Sequence, residues 1–138
     1  MERQSGSVPL RLAALLLSLT LTVLPIAARA ETVLVMVEEA GCAWCARWNK
    51  EIGPIYGKTP EGRAAPLRRE MIGAPPDDIA FERGLHFTPT FVLVRDGAEL
   101  GRIEGYPGED FFWGLLGQMM EQNGVALPAG SQEAGAEG

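Results

Sequence analysis

The sequence predicts an α/β domain, and three observations carry that expectation. Thr32 to Val37 is a short run of β-branched and large apolar residues without polar alternation after Thr32, the pattern of a central strand covered on both faces. Directly after it the period changes, with Trp44, Trp48 and Ile52 recurring on one helical stripe and Cys42 and Cys45 at its start. Later in the chain, Phe91 to Val94, the turn dipeptide Asp96-Gly97 and Glu99 to Glu104 read as an antiparallel hairpin, and an amphipathic helix follows.

The first thirty residues read as an address. Arg3 and Arg11 flank a polar start, Leu12 to Leu24 is apolar apart from Ser18, Thr20 and Thr22, and Pro25 precedes Ala28-Arg29-Ala30. This is the layout of a secretory signal peptide over residues 1–30, and its apolar run falls short of the roughly 20 residues that span a bilayer. Cleavage after Ala30 is expected rather than an uncleaved anchor, and Glu31 is not the cysteine of a lipoprotein. The whole chain of 138 residues holds 12 basic and 18 acidic residues, a formal charge of −6. Removing the leader takes away Glu2 and the arginines at 3, 11 and 29, so the exported part is more acidic still. Such a balance favours solubility and argues against nucleic acid or an anionic membrane as partner. The length suits one core, which we place in residues 31–122. A domain of that size needs no disulfides for stability, so its cysteines are free to be functional.

Taken in order, Trp48 is expected in the core and Trp44, between the cysteines, partly exposed. Gly53-Pro54 is expected to end the first helix. Ile55 to Pro66 reads as a loop with at most a short helix, opened by the cap, proline and acidic residue of Thr59-Pro60-Glu61. Leu67 to Ile72 is a candidate second strand. After the loop from Gly73 to Asp78, a short helix is expected from Asp78 to Arg83, stopped by Gly84. Glu109 and Asp110 open the last helix, whose Phe111, Phe112, Leu115, Leu116 and Met119 are expected to pack on the sheet. Residues 123–138 form a tail rich in Gly, Ala, Ser and Glu, expected to be disordered from 129 onward.

The chain has only two cysteines, and their C-x-x-C spacing across a helix start lets the sulfurs approach within bonding distance. The first sulfur lies near the unpaired N–H groups of the opening turn, which lowers a thiol from about 8.5 to roughly 3.5–7.5. Cys42 would then attack a partner disulfide and Cys45 would resolve the mixed disulfide, chemistry that needs no cofactor. A zinc site is disfavoured because His86 is the one histidine and only carboxylates remain to complete the set. Copper held by two thiolates is chemically open, although no methionine or histidine cluster adjoins the motif. A purely structural disulfide closes too small a loop to add much, and a haem site would need histidine where Ala46 stands. His86 alone reads as a surface or half-buried side chain. Thr88-Pro89 precedes a strand, and local physics makes its peptide trans.

Together, the strand, the C-x-x-C helix, Thr88-Pro89 and the closing hairpin and helix resemble the thioredoxin family over about residues 31–122. The resemblance implies a thioredoxin-like fold, βαβ followed by ββα, in a mixed sheet flanked by helices. It further implies a cis peptide at Thr88-Pro89, backbone hydrogen bonds from Thr88 to a bound partner chain, and a proline that keeps metal off the thiols. Trp44, Thr88 and Pro89 are thus candidate partner-binding residues beside catalytic Cys42 and Cys45. The chain departs from the cytosolic pattern W-C-G-P-C, having Gly41-Cys42-Ala43-Trp44-Cys45. Met36 stands where that family has a buried aspartate, leaving Glu38 or Glu39 to manage the proton of Cys45. The runs Trp48 to Tyr56, Glu61 to Arg69 and Arg102 to Trp113 are similar to periplasmic thioredoxins encoded with bacterial sulfur-oxidation systems. That resemblance implies a periplasmic reductase with a protein disulfide substrate, a sulfur-oxidation carrier, and a membrane electron donor; a monomer is expected. A copper- or haem-maturation protein using the same pair is the alternative.

Overall fold

A computed structural model describes residues 30–129; the expected leader up to residue 29 and the tail from 130 lie outside the described residues. The chain runs β1 (Thr32–Glu38), α1 (Ala43–Glu51), α2 (Gly53–Tyr56), α3 (Pro60–Ala64), β2 (Leu67–Met71), β3 (Thr90–Arg95), β4 (Ala98–Glu104) and α4 (Glu109–Gln122). One sheet has the order β2-β1-β3-β4. β1 pairs parallel with β2 and antiparallel with β3, and β3 pairs antiparallel with β4. This is βαβ followed by ββα, the thioredoxin-like α/β fold.

β1 explains why the sheet has two cores. It is flanked by strands on both sides, and Leu34, Val35, Met36 and Val37 are all fully buried. Because successive side chains point to opposite faces, Leu34 and Met36 enter an aromatic cluster under the helices with Trp48, Tyr56, Phe91 and Phe112. Val35 and Val37 enter a smaller cluster with Ile79, Val92 and Val94.

Several local expectations are met by identifiable chemistry. Thr59 caps α3, its hydroxyl accepting the Gly62 N–H at 3.1 Å with Pro60 in the first turn. Asp96 and Gly97 both have positive φ, 51° and 78°, which matches the twist of the β3–β4 hairpin. α4 is closed by N–H bonds from Gly124 to Glu121 O, 3.1 Å, and from Val125 to Met120 O, 2.9 Å, and Val125 packs on the aromatic core.

The first helix ends where expected: α1 stops at Glu51, just before Gly53-Pro54, and Pro54, whose missing N–H costs nothing in a first turn, lies in the first turn of the separate four-residue α2. Two expectations are corrected. No helix forms over 78–83, because the backbone there bonds the hairpin instead. Ala80 donates to Gly97 O at 2.7 Å and accepts from the Glu99 N–H at 3.4 Å, while Asp78 turns from capping to pair with Arg68. On α4, Phe112, Leu116, Met119 and Met120 are buried, but Phe111 and Leu115 are exposed, since the sheet covers a narrower stripe than the apolar residues span.

Candidate active site

Cys42 is the N-cap of α1. Its backbone is extended, at φ −70° and ψ 107°, and its Sγ accepts the Cys45 N–H at 3.1 Å. The preceding Gly41 takes φ 78°, a left-handed conformation that suits glycine, and so turns the chain from β1 into the helix. Cys42 and Cys45 are joined by a disulfide, with Cα atoms 5.3 Å apart. Their exposures differ: Cys42 is half-buried, whereas Cys45 is only 3% exposed and belongs to the aromatic core.

The Thr88-Pro89 peptide is cis, against the local preference for trans and in line with the family resemblance. The antiparallel register of Val37 with Thr90 brings this turn to the end of β1 from which Cys42 emerges. Glu39 ties the two loops together. Its carbonyl accepts the Cys42 N–H at 3.4 Å, and its carboxylate accepts the Thr88 hydroxyl. On the other side of that turn, Pro89 O accepts the Gly105 N–H at 2.7 Å and Phe87 O accepts the Thr90 hydroxyl at 2.7 Å.

Trp44 is 54% exposed, and Phe87, beside Thr88, is 58% exposed. The Arg47 guanidinium lies 5.6 Å from the Trp44 ring centre and 5.9 Å from that of Tyr106. Arg47 also pairs with Glu51 at 2.9 Å, and the Tyr106 hydroxyl donates to Glu51 at 2.7 Å. The Tyr106 hydrogen bond, then Arg47, hold the Glu51 carboxyl below its usual value. Burial, then Glu51, push the Tyr106 hydroxyl up.

Behind the cysteine helix, Met36 is fully buried, and Arg69 organises the polar groups near it. Its guanidinium meets Met36 Sδ at 3.7 Å, Glu38 at 2.9 Å and Asn49 Oδ1 at 2.7 Å, and lies 5.8 Å from the Trp48 ring centre. Of the two carboxylates considered for the Cys45 proton, Glu38 is thus ion-paired and Glu39 serves Thr88. Sequence reasoning missed Arg69; the only available signal was a charged residue inside a short strand. His86 is exposed. Among the described residues, no group of three or more His, Cys, Asp or Glu side chains could hold a metal ion.

Cys42 is the half-buried, reachable member of the pair, while Cys45 lies in the core. A concavity of about 970 Å³ lies at the other end of the sheet, lined by Thr32, Arg63, Arg95 and residues after Gly124. Among the described residues, no helix is long and apolar enough to cross a membrane.

No family model and no curated protein matches the chain. Among solved structures, the periplasmic thioredoxin SoxS from Paracoccus pantotrophus, in reduced form, is 50% identical with a TM-score of 0.66, the match covering 67% of this chain and 99% of that one. A thioredoxin of Malassezia sympodialis, Mala s 13, is 24% identical over 64% of this chain and 75% of that one, with a TM-score of 0.47.

Proposed function

Because the chain belongs to the thioredoxin family and is a thiol–disulfide oxidoreductase, we propose that it works in the periplasm as a reductase of a protein disulfide. The observation that carries the mechanism is the unequal exposure of the two cysteines at one helix start. Cys42 is reachable and lies at the positive end of α1, so its thiolate is favoured and attacks. One partner sulfur bonds to Cys42 and the other leaves as a thiolate that takes up a proton. Cys45, shielded from outside thiols, then attacks the Cys42 sulfur, and the second partner thiol departs. Two electrons pass to the partner, and the chain is left with the Cys42–Cys45 disulfide seen here.

Thr88 and Pro89 form the wall against which the partner chain lies, and Trp44 adds an exposed aromatic contact. An open site with exposed Trp44 and Phe87 suits a polypeptide better than a small molecule, which takes a concave pocket. The export pattern of residues 1–30 and the periplasmic relative support the location. The resemblance to thioredoxins of sulfur oxidation supports a carrier protein of that process as substrate and a membrane donor as the source of electrons. The protein is taken to act as a monomer.

Replacing Cys45 with serine tests this. C45S incubated with periplasmic extract should accumulate a dithiothreitol-sensitive adduct on Cys42, and C42S should accumulate none. Equal adduct on C42S, or none on C45S, would overturn the assignment of attacker and resolver.

A further inference from the structure

Between Met71 and Thr90 the chain has no helix and no strand beyond isolated bridges, yet it carries Phe87 and Thr88. Its fixed point is a buried ion pair on β4. Glu99 and Arg102 are three residues apart, a spacing that puts side chains on opposite faces of a regular strand. A bulge changes this: Val94 pairs with Glu99 and Leu93 with Gly101, leaving Leu100 over, so Glu99 and Arg102 share a face. That face is the one of Val92 and Val94.

The pair is bidentate, Nε to Oε1 at 2.6 Å and Nη2 to Oε2 at 2.7 Å, with side chains 3% and 0% exposed for Arg102 and Glu99. Apart from a longer contact of Arg102 Nη1 with Glu104 at 3.6 Å, itself paired with Arg83 at 2.9 Å, what remains of both groups is directed at the irregular segment. Glu99 accepts the Glu82 N–H at 2.9 Å, while Arg102 donates to Arg83 O and to Gly84 O, each at 3.1 Å. Three consecutive residues therefore take their direction from one ion pair rather than from backbone pairing. A buried pair is commonly no more stabilising than apolar residues of the same volume, so stability does not account for it. What apolar residues could not supply is the placing of three backbone groups at fixed points, and lysine lacks the planar fork to do so.

We propose that Glu99 and Arg102 are positioning residues for the Phe87-Thr88-Pro89 wall, setting affinity for a protein disulfide without touching the sulfur chemistry. This rests on the partner-binding role proposed above for Thr88. The volume-matched double variant Glu99→Leu/Arg102→Met tests it, with insulin as the protein disulfide and dithiobis(nitrobenzoate) as the small one. KM for insulin should rise about tenfold, with kcat and the rate on the small disulfide kept within about twofold. Unchanged KM, or equal loss on both disulfides, overturns the proposal. If the double variant does not fold, Arg102→Lys should show the same split in weaker form, and its absence there overturns the proposal equally. The underlying reading is checked separately with a cysteine-containing peptide trapped on Cys42 of C45S, in which the Thr88 amide should gain protection from hydrogen exchange. Protection there with unchanged KM in the double variant sinks the positioning role alone, whereas no protection sinks the partner-binding reading and the proposal with it.

Discussion

The two faces of the sheet are built on different principles. Under the helices, Trp48, Phe91 and Phe112 form a mutually contacting trio, with ring centres 5.2 Å, 4.9 Å and 5.8 Å apart. Edge-on and tilted aromatic contacts add to a large buried area there, and Cys45 belongs to the same cluster. The other face has valines, Ile79 and a buried ion pair, covered by an irregular segment. The first face holds its elements by many undirected contacts; the second does so by a few directed bonds. The sulfur chemistry is thus backed by redundant packing, and the segment that leads to the proposed partner wall by hydrogen bonds that each have one donor and one acceptor.

Breaking the aromatic face should cost most. Trp48→Ala removes a fully buried side chain at the centre of the trio and should destabilise the domain by about 3–5 kcal/mol, read from urea denaturation. Its Nε1 has no hydrogen-bond partner among the described residues, so the loss is one of volume and contact rather than of a hydrogen bond. A loss under about 1 kcal/mol would mean that this face does not carry the packing assigned to it.

The charged face should respond to pH as the aromatic one does not. Burial pushes the Glu99 carboxyl up, but hydrogen bonds from Arg102 and the Glu82 N–H outweigh it and hold the carboxyl below its usual value. A carboxyl held low in the folded chain adds stability above its unfolded titration range and loses it as pH falls through the folded value. Glu99→Gln should therefore be less stable than the parent at neutral pH, by less than Trp48→Ala, and the gap should close below about pH 4.3. Urea midpoints across that range check this; a gap independent of pH would remove the carboxylate from the account.

What the sequence makes legible follows the same division. β1, the Asp96-Gly97 turn, the N-cap at Cys42 and the existence of α4 rest on local pattern, and each is found. Residues 78–83 carry the local signals of a short capped helix, but their backbone partners are on the hairpin, some twenty residues on, where no local pattern points. The bulge at Leu100 has the same character: without it, Glu99 and Arg102 read as residues of opposite faces. The cis peptide before Pro89 runs against the local preference and was legible only through resemblance to a family. At the site, the sulfurs were visible as a spacing, whereas Glu39 on Thr88 and Arg69 on Glu38 and Asn49 join residues far apart in the chain.

The central claim is that Cys42 and Cys45 form a reducing couple, and the equilibrium potential tests it most directly. Residues 31–138 would be equilibrated against graded mixtures of reduced and oxidised dithiothreitol or glutathione, and free thiols counted. The account predicts a midpoint near the thioredoxin value of about −270 mV, whereas one near about −120 mV, the range of a strong oxidant, would contradict it.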